Sequence, residues 1–302
     1  MIFQFVGLFM LVFASKAHAK SDIKPILIDG SSTLYPLTEA VVEEFNKKFP
    51  AIRVSVGSSG TGGGFSKFLK EEIQICDASR PISSKELEEA KVNKVEFIVL
   101  PVAYDALSVV VSTKNKFIDT ISIADLKKIW EPGSKIFKWS DLNPNFPKKD
   151  FKLFAPGAGS GTFDYFTKEV VGKEKSSRKD FEASENDDVL VRGIAGNEFG
   201  FGYFGHSYVE MNKKKVRALK LDAGAGAIEP SNENIRNKKY PLSRVLYIYI
   251  NKKFLERKEV ADFVDFYLAS VVNLSVPLGF LNLESQAQNT SVKRFKDRTV
   301  GL

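Results

Sequence analysis

Three short segments of the chain combine glycines with hydroxyl side chains just ahead of an apolar periodic run. They are Gly30-Ser31-Ser32-Thr33, Gly57-Ser58-Ser59-Gly60-Thr61-Gly62-Gly63-Gly64 and Gly157-Ala158-Gly159-Ser160-Gly161-Thr162. Each reads as a turn from a strand into a helix. The first N–H groups of a helix have no intrahelical acceptor, the hydroxyls add donors, and the dipole is positive at that end, so an oxyanion is the natural guest. A single turn of this kind is as well explained by ordinary N-capping; three in one chain point to a shared ligand. Arg80, in Ala78-Ser79-Arg80-Pro81-Ile82, follows a strand at the end where open α/β sheets present ligand contacts. Its guanidinium stays charged and offers a planar fork to a pair of oxygens, the alternative being a surface ion pair.

Other chemistries find less support. Neither Ser59 nor Ser160 sits in a G-x-S-x-G elbow, the Gly157-x-Gly159-x-Gly161 spacing is not the dinucleotide fingerprint, and no P-loop lysine follows a glycine run. The chain has two histidines and one cysteine, which excludes a His-rich zinc site and an internal disulfide. Cys76 lies in an apolar strand and reads as core, and His206 reads as the start of a helix. No metal and no cofactor is expected.

The elements that must hold the three turns follow from periodicity. Strands are predicted at 25–29, 52–56, 73–77, 151–155, 200–204 and 244–250, and helices at 34–49, 65–71, 85–91, 123–130, 162–171, 185–195, 260–272 and 284–298. Ser83 and Glu86 form a capping box, and Ser122 caps the helix that follows it. The apolar stretch 95–111 is interrupted by Pro101, and 216–221 is a further extended run. Repeated strand, loop and helix units predict a parallel α/β sheet. The final strand and helices have no sheet of their own, so they are expected to return to the first half. The resulting fold is two α/β lobes joined by two hinge crossings, with the ligand in the cleft between them. Residues 20–103 plus 244–302 form lobe 1, and 104–243 form lobe 2.

Length and composition agree with this. The chain has 302 residues, of which 43% are hydrophobic and 27% charged, enough for one large or two smaller cores. Its net charge of +7 is mild, and lysine clusters such as Lys213-Lys214-Lys215 read as solvated faces and not as a nucleic-acid groove. Residues 1–19 read as a signal peptide: an apolar run from Ile2 to Ala14, then Ala17-His18-Ala19 as a cleavage pattern, with the mature chain starting near Lys20. That run is too short to span a membrane. The mature protein is expected to be exported and monomeric.

The motifs, taken in order, resemble the periplasmic phosphate-binding proteins of ABC importers. The likeness rests on Gly30-Ser31-Ser32-Thr33-Leu34-Tyr35-Pro36, Ser59-Gly60-Thr61-Gly62-Gly63-Gly64-Phe65, Ala78-Ser79-Arg80-Pro81-Ile82 and Gly159-Ser160-Gly161-Thr162-Phe163-Asp164-Tyr165-Phe166, all after a signal peptide. It extends through Ser184-Glu185-Asn186-Asp187-Asp188 and Gly200-Phe201-Gly202-Tyr203. The resemblance implies two mixed-sheet α/β lobes that close at a hinge, in a protein without enzymatic activity that binds inorganic phosphate in the periplasm and delivers it to a membrane permease. It implies that Ser32, Thr33, the Leu34 N–H, Ser59, Ser160, Gly161 and Thr162 contact the phosphate. Many members carry an Arg four residues before the Ser of the GSGT turn, paired with an Asp where this chain has Arg80; here those places hold Pro156 and Arg80. The cation is thus expected in the first lobe, with its acidic partner unassigned.

Selectivity needs a carboxylate facing the ligand, because phosphate near neutral pH still carries a proton and sulfate does not. Asp105, near the hinge, and Asp187 or Asp188, at a predicted helix start, are the candidates. Two rival readings stand beside this one. The ligand could be another oxyanion (sulfate, molybdate or a phosphonate), or the chain could be a secreted phosphate-ester hydrolase using Ser59 or Ser160 as nucleophile.

Overall fold

The computed structural model describes residues 24–301, so the proposed signal segment lies outside the described residues. Among the described residues, no helix is long and apolar enough to cross a membrane. The strands are β1 (Ile26–Gly30), β2 (Val54–Val56), β3 (Ile75–Ala78), β4 (Phe97–Ser112), β5 (Thr120–Ser122), β6 (Lys152–Ala155), β7 (Glu182–Ala183), β8 (Gly200–Gly205), β9 (Val216–Ala218), β10 (Lys220–Asp222), β11 (Ala227–Ile228) and β12 (Ser243–Asn251).

The main sheet runs β2-β1-β3-β12-β4-β8-β6-β7, with β9 also on β4; β11-β10-β5 form a small second sheet. Strands linked through helices pair in parallel, as β1 does with β2 and β3, and β6 with β8. The long β4 pairs antiparallel with β12 and β8, which makes the sheet mixed. It is buried along almost its whole length, and this is why it reads in the sequence as a continuous apolar run. Pro101 is accommodated because the β4–β12 register shifts there: Leu246 faces Ala103 and Tyr247 faces Pro101, leaving Val102 as a bulge residue.

Two cores flank this strand. Ile26, Leu37, Val41, Phe45, Leu100, Ile248, Phe263 and Tyr267 pack together on one side. On the other, Leu107, Val109, Trp130, Trp139, Phe166, Phe201 and Tyr203 form a largely aromatic cluster. The first core draws on both ends of the chain, and β4 and β12 carry the chain between the two. The Tyr35–Lys48 helix belongs to the first: Leu37, Val41 and Phe45 recur at helical spacing, and each wholly buried side chain of this size contributes about 1.5–3 kcal/mol.

Some boundaries differ from expectation. The second helix spans Thr61–Phe68, so Gly62, Gly63 and Gly64 lie in its first turn and not in a loop. The helix after Ser160 is α-helical only over Gly161–Phe166, and Thr167–Val171 widens to a π-turn. The run 216–221 divides between two sheets as β9 and β10.

Candidate functional site

The three turns meet where the lobes face each other. In the first, Gly30 has φ +140°, and a Cβ there would lie 2.1 Å from the Asp77 carbonyl oxygen, so only glycine fits. Ser31 N–H then bonds Asp77 O, while Leu34 and Tyr35 N–H both return to Ser31 O. The Leu34 N–H is therefore engaged within its own turn, and the N–H groups of Ser32 and Thr33 have no acceptor among the described residues.

In the second turn, Asp29 Oδ1 accepts from both the backbone N–H and the hydroxyl of Ser59, at 2.8 and 2.9 Å, and Lys67 bonds the other carboxylate oxygen. Although burial opposes ionisation, the Lys67 and Ser59 bonds hold Asp29 below the usual carboxylate range. Ser59 thus donates back to Asp29 on β1. Gly62 N–H crosses to the Gly159 carbonyl of the third turn at 2.8 Å.

In the third, Ser160 is the N-cap, its hydroxyl accepting from the N–H groups of Thr162 and Phe163. Gly161 N–H has no acceptor among the described residues. A Cβ on Gly161 would lie 2.5 Å from Thr61 Oγ1 and 2.7 Å from Ser79 Oγ, so the absence of a side chain sets how closely the lobes meet. Glu185 accepts the Gly159 N–H at 3.0 Å and braces this loop.

At the centre Thr33 Oγ1 and Thr162 Oγ1 lie 3.1 Å apart, one from each lobe. The buried guanidinium of Arg244, on β12, joins them: Nη2 donates to Thr33 at 3.1 Å and Nη1 to Thr162 at 2.9 Å. Nε and Nη2 also donate to Asp105 Oδ2, at 3.0 and 2.8 Å. Asp105 is thereby an ion-pair partner on the neighbouring strand. Arg244 did not stand out in the sequence as a site residue. Its signal was a charge at the start of an otherwise apolar strand, Ser243–Asn251, since an arginine is rarely buried without a partner.

Arg80 is buried at the same junction. Its Nε donates to Asp164 in the helix after Ser160 at 2.9 Å, Nη1 to Pro81 O and Glu86, and Nη2 to Glu86 at 2.8 Å. Burial would raise Glu86, yet its bonds to Arg80 hold it below its ordinary value; Asp164 is raised by burial despite the same cation. The acidic partners that the sequence left unassigned are therefore Glu86 and Asp164. A guanidinium has five N–H donors, and these contacts use four on Arg80 and four on Arg244, leaving one Nη hydrogen on each.

Asp187, first residue of the Asp187–Gly196 helix, is wholly buried, and neither carboxylate oxygen has a hydrogen-bond partner among the described residues. Burial pushes its pKa up to about 7, against the pull of the nearby Ser32 hydroxyl and of Arg244. Ser32 lies beside it without hydrogen-bond geometry. Asp188 is exposed, and its N–H bonds the Asn186 N-cap. Tyr208 donates its hydroxyl to Ser32 O at 3.0 Å, a further tie across the cleft. Among the described residues, no group of three or more His, Cys, Asp or Glu could hold a metal ion.

The chain is similar to known proteins over most of its length. Residues 15–271 match a family model described as the PBP superfamily domain. The chain is 39% identical to protein SphX of Synechocystis sp., over 97% of this chain and 88% of that one. It is 35% identical to the phosphate-binding protein PstS of Staphylococcus saprophyticus, over 89% of this chain and 83% of that one. The chain belongs to the PBP superfamily, among the relatives named phosphate-binding proteins. The crystal structure of a possible phosphate binding protein from Planctomyces limnophilus is 40% identical, with a TM-score of 0.68, covering 91% of this chain and 99% of that one. The mixed α/β architecture agrees with that of these relatives.

Proposed function

We propose that the chain captures inorganic phosphate between its lobes outside the cytoplasm and hands it to the membrane permease of an ABC importer, without chemical turnover. The observation that carries this is the Arg244 guanidinium bonded to Thr33 of one lobe and Thr162 of the other, in turns whose Ser32, Thr33 and Gly161 N–H groups have no acceptor among the described residues. These groups, with the spare N–H groups of Arg80 and Arg244, are the donors that contact phosphate. Leu34, Ser59 and Ser160 act one step back: Leu34 closes the first turn, Ser59 fixes the second to Asp29, and Ser160 caps the third.

The lobes in this reading are residues 20–103 with 244–302, and residues 104–243, in a monomer exported by the segment 1–19. Closure brings ligand bonds from both lobes at once, which shifts the open–closed equilibrium. Micromolar affinity requires about −8 kcal/mol, within reach of several charged hydrogen bonds of about 1.5–3 kcal/mol each after ordering costs.

Asp187 is the acceptor for the phosphate proton. An orphan buried carboxylate bonds a protonated oxyanion and repels a fully ionised one, which favours phosphate over sulfate. The hydrolase reading has less behind it. Ser59 bonds a carboxylate and Ser160 caps a helix, while His206 Nδ1 pairs at 2.8 Å with Ser108, a wholly buried residue of β4.

Equilibrium dialysis of labelled phosphate against unlabelled anions tests the proposal. Phosphate should compete at one site per chain, and sulfate and molybdate should need at least a hundredfold higher concentration. Equal competition by sulfate, or turnover of an aryl phosphate, would overturn it.

A further inference from the structure

The long β4 carries Asp105 at the candidate site and ends seven residues later at Ser112, about 23 Å further along an extended strand. Beyond that end two segments run side by side. The Thr113 N–H and hydroxyl both bond the Lys215 carbonyl, Arg217 donates to the carbonyls of Asn115 and Ile118, and Lys220 N–H bonds Asp119 O. This pairing gathers charge that the sequence alone leaves as a solvated face. Lys114, Lys116, Lys214, Lys215 and Lys220 are all exposed, and none has an ion-pair partner among the described residues. Elsewhere exposed lysines are matched: Lys47, Lys128, Lys258 and Lys293 each pair with a carboxylate three or four residues away. The acids within the two segments are already engaged, Glu210 by Lys213 at 2.7 Å and Asp119 by Arg217 at 3.0 Å. Residues 113–119 and 210–220 together hold seven cations and two carboxylates, a surplus of five where that of the whole chain is seven. Past Phe117, whose ring lies 5.4 Å from Phe146 and 6.3 Å from Phe199, exposed Lys148, Lys149 and Lys152 continue the face, with Asp150 and Glu198 as its flanking acids.

We infer that this end of the molecule is a docking surface for a bilayer of anionic phospholipid. The inference goes beyond phosphate capture and does not depend on it. Two observations favour a headgroup layer over a nucleic acid or another soluble polyanion. The unpaired charges are lysines, compact point charges that ask no fixed geometry of a partner, and Arg217 between them is spent on two carbonyls and Asp119. Met211, 42% exposed, stands two residues before Lys213, and the half-buried Phe117 follows Lys116; such apolar groups among lysines enter the boundary between headgroups and acyl chains. The attraction acts over about a Debye length, about 10 Å at about 0.1 M salt, so docking is reversible and salt-sensitive. It takes place at the opposite end of β4 from Asp105 and leaves the candidate site uncovered.

Co-sedimentation of the full chain with lipid vesicles tests this. Vesicles of one part phosphatidylglycerol to three of phosphatidylcholine are compared with pure phosphatidylcholine, which also controls for residues 1–19, common to every arm. At about 50 mM salt the chain should bind the anionic vesicles at least tenfold more tightly than the neutral ones, and the difference should vanish at about 0.5 M. Lys214→Glu/Lys215→Glu should weaken binding to anionic vesicles at least tenfold, and Lys114→Glu/Lys116→Glu should do the same from the other segment. Lys70→Glu/Lys85→Glu, an equal charge change at exposed lysines elsewhere, should weaken it less than threefold. Melting temperatures within a few degrees of wild type keep a loss of fold from being read as a loss of docking. Three results would overturn the inference: no preference for anionic vesicles, equal losses in all three variants, or retention of double-stranded DNA through Lys214 and Lys215 under conditions where vesicles are not bound.

Discussion

Replacing Asp187 with Asn probes the orphan carboxylate through protein stability as well as through ligand choice. Asp187 is wholly buried, and its pKa rises from 3.8 to about 7 on folding, chiefly through burial. Between those values the folded chain holds a proton that the unfolded chain has released, so stability falls as pH rises through this window. The contribution is most favourable below about pH 4 and is lost by about pH 7. At about 1.4 kcal/mol per pH unit, a shift of about three units sets a ceiling near 4 kcal/mol. Asparagine has a similar shape and no charge to desolvate. Asp187→Asn should therefore gain stability over wild type by at least about 1 kcal/mol between pH 5 and pH 8, in phosphate-free buffer. Asp77, also wholly buried and pushed up to about 7, is common to both proteins and cancels in the difference. Urea unfolding followed by the fluorescence of the buried Trp130 and Trp139 would measure it. Parallel pH dependences, or an Asn variant that loses ground as pH rises, would refute the reasoning. The same variant should narrow the preference for phosphate over sulfate at least tenfold, because its amide N–H₂ can donate to an unprotonated oxygen.

The other predictions concern closure and charge. Arg244→Ala removes charged bonds to Thr33 and Thr162, each worth about 1.5–3 kcal/mol, and should weaken phosphate at least a hundredfold by calorimetry. Lysine should restore little, since it cannot reach both hydroxyls and Asp105 with one fork; binding by Arg244→Ala within threefold of wild type would exclude this role. Arg80→Ala, which breaks the tie to Asp164 across the cleft, should cost more than tenfold in equilibrium dialysis, and near-native affinity would remove Arg80 from the account. Gly161→Ala places a methyl against Thr61 and Ser79 and should weaken phosphate at least tenfold while moving the ligand-free melting temperature by only a few degrees. A large loss of ligand-free stability would instead mark Gly161 as a folding residue.

The fold was legible wherever local signals and tertiary packing agree. The Ser83–Glu86 capping box is present in full, and Ser122 caps a helix over Ile123–Trp130 as its spacing predicts. The glycine-rich start of the second helix is not legible locally, because glycine has low helix propensity; in the fold the Gly62 N–H is held by the Gly159 carbonyl. The two-sheet division of 216–221 depends on pairing partners about a hundred residues away, which periodicity does not carry.

Site residues divide similarly. Thr33, Gly161 and Thr162, which the fold brings to the candidate site, stand out in the sequence because helix starts concentrate donors locally. Arg244 was not, since it enters the cleft only when β12 returns beside β4. Among Asp105, Asp187 and Asp188, the sequence could not choose. Burial and pairing separate them: Asp105 is held by Arg244, Asp188 faces solvent, and Asp187 is buried without a hydrogen-bond partner among the described residues.

The central claim is that one tetrahedral anion is gripped by helix starts from both lobes. A crystal structure of the phosphate complex tests it most directly. The account predicts phosphate oxygens within about 3 Å of Thr33, the Gly161 N–H, Thr162 and a guanidinium N–H, with one oxygen facing Asp187. Phosphate bound at a site that touches only one lobe, or away from Thr33 and Thr162, would contradict it.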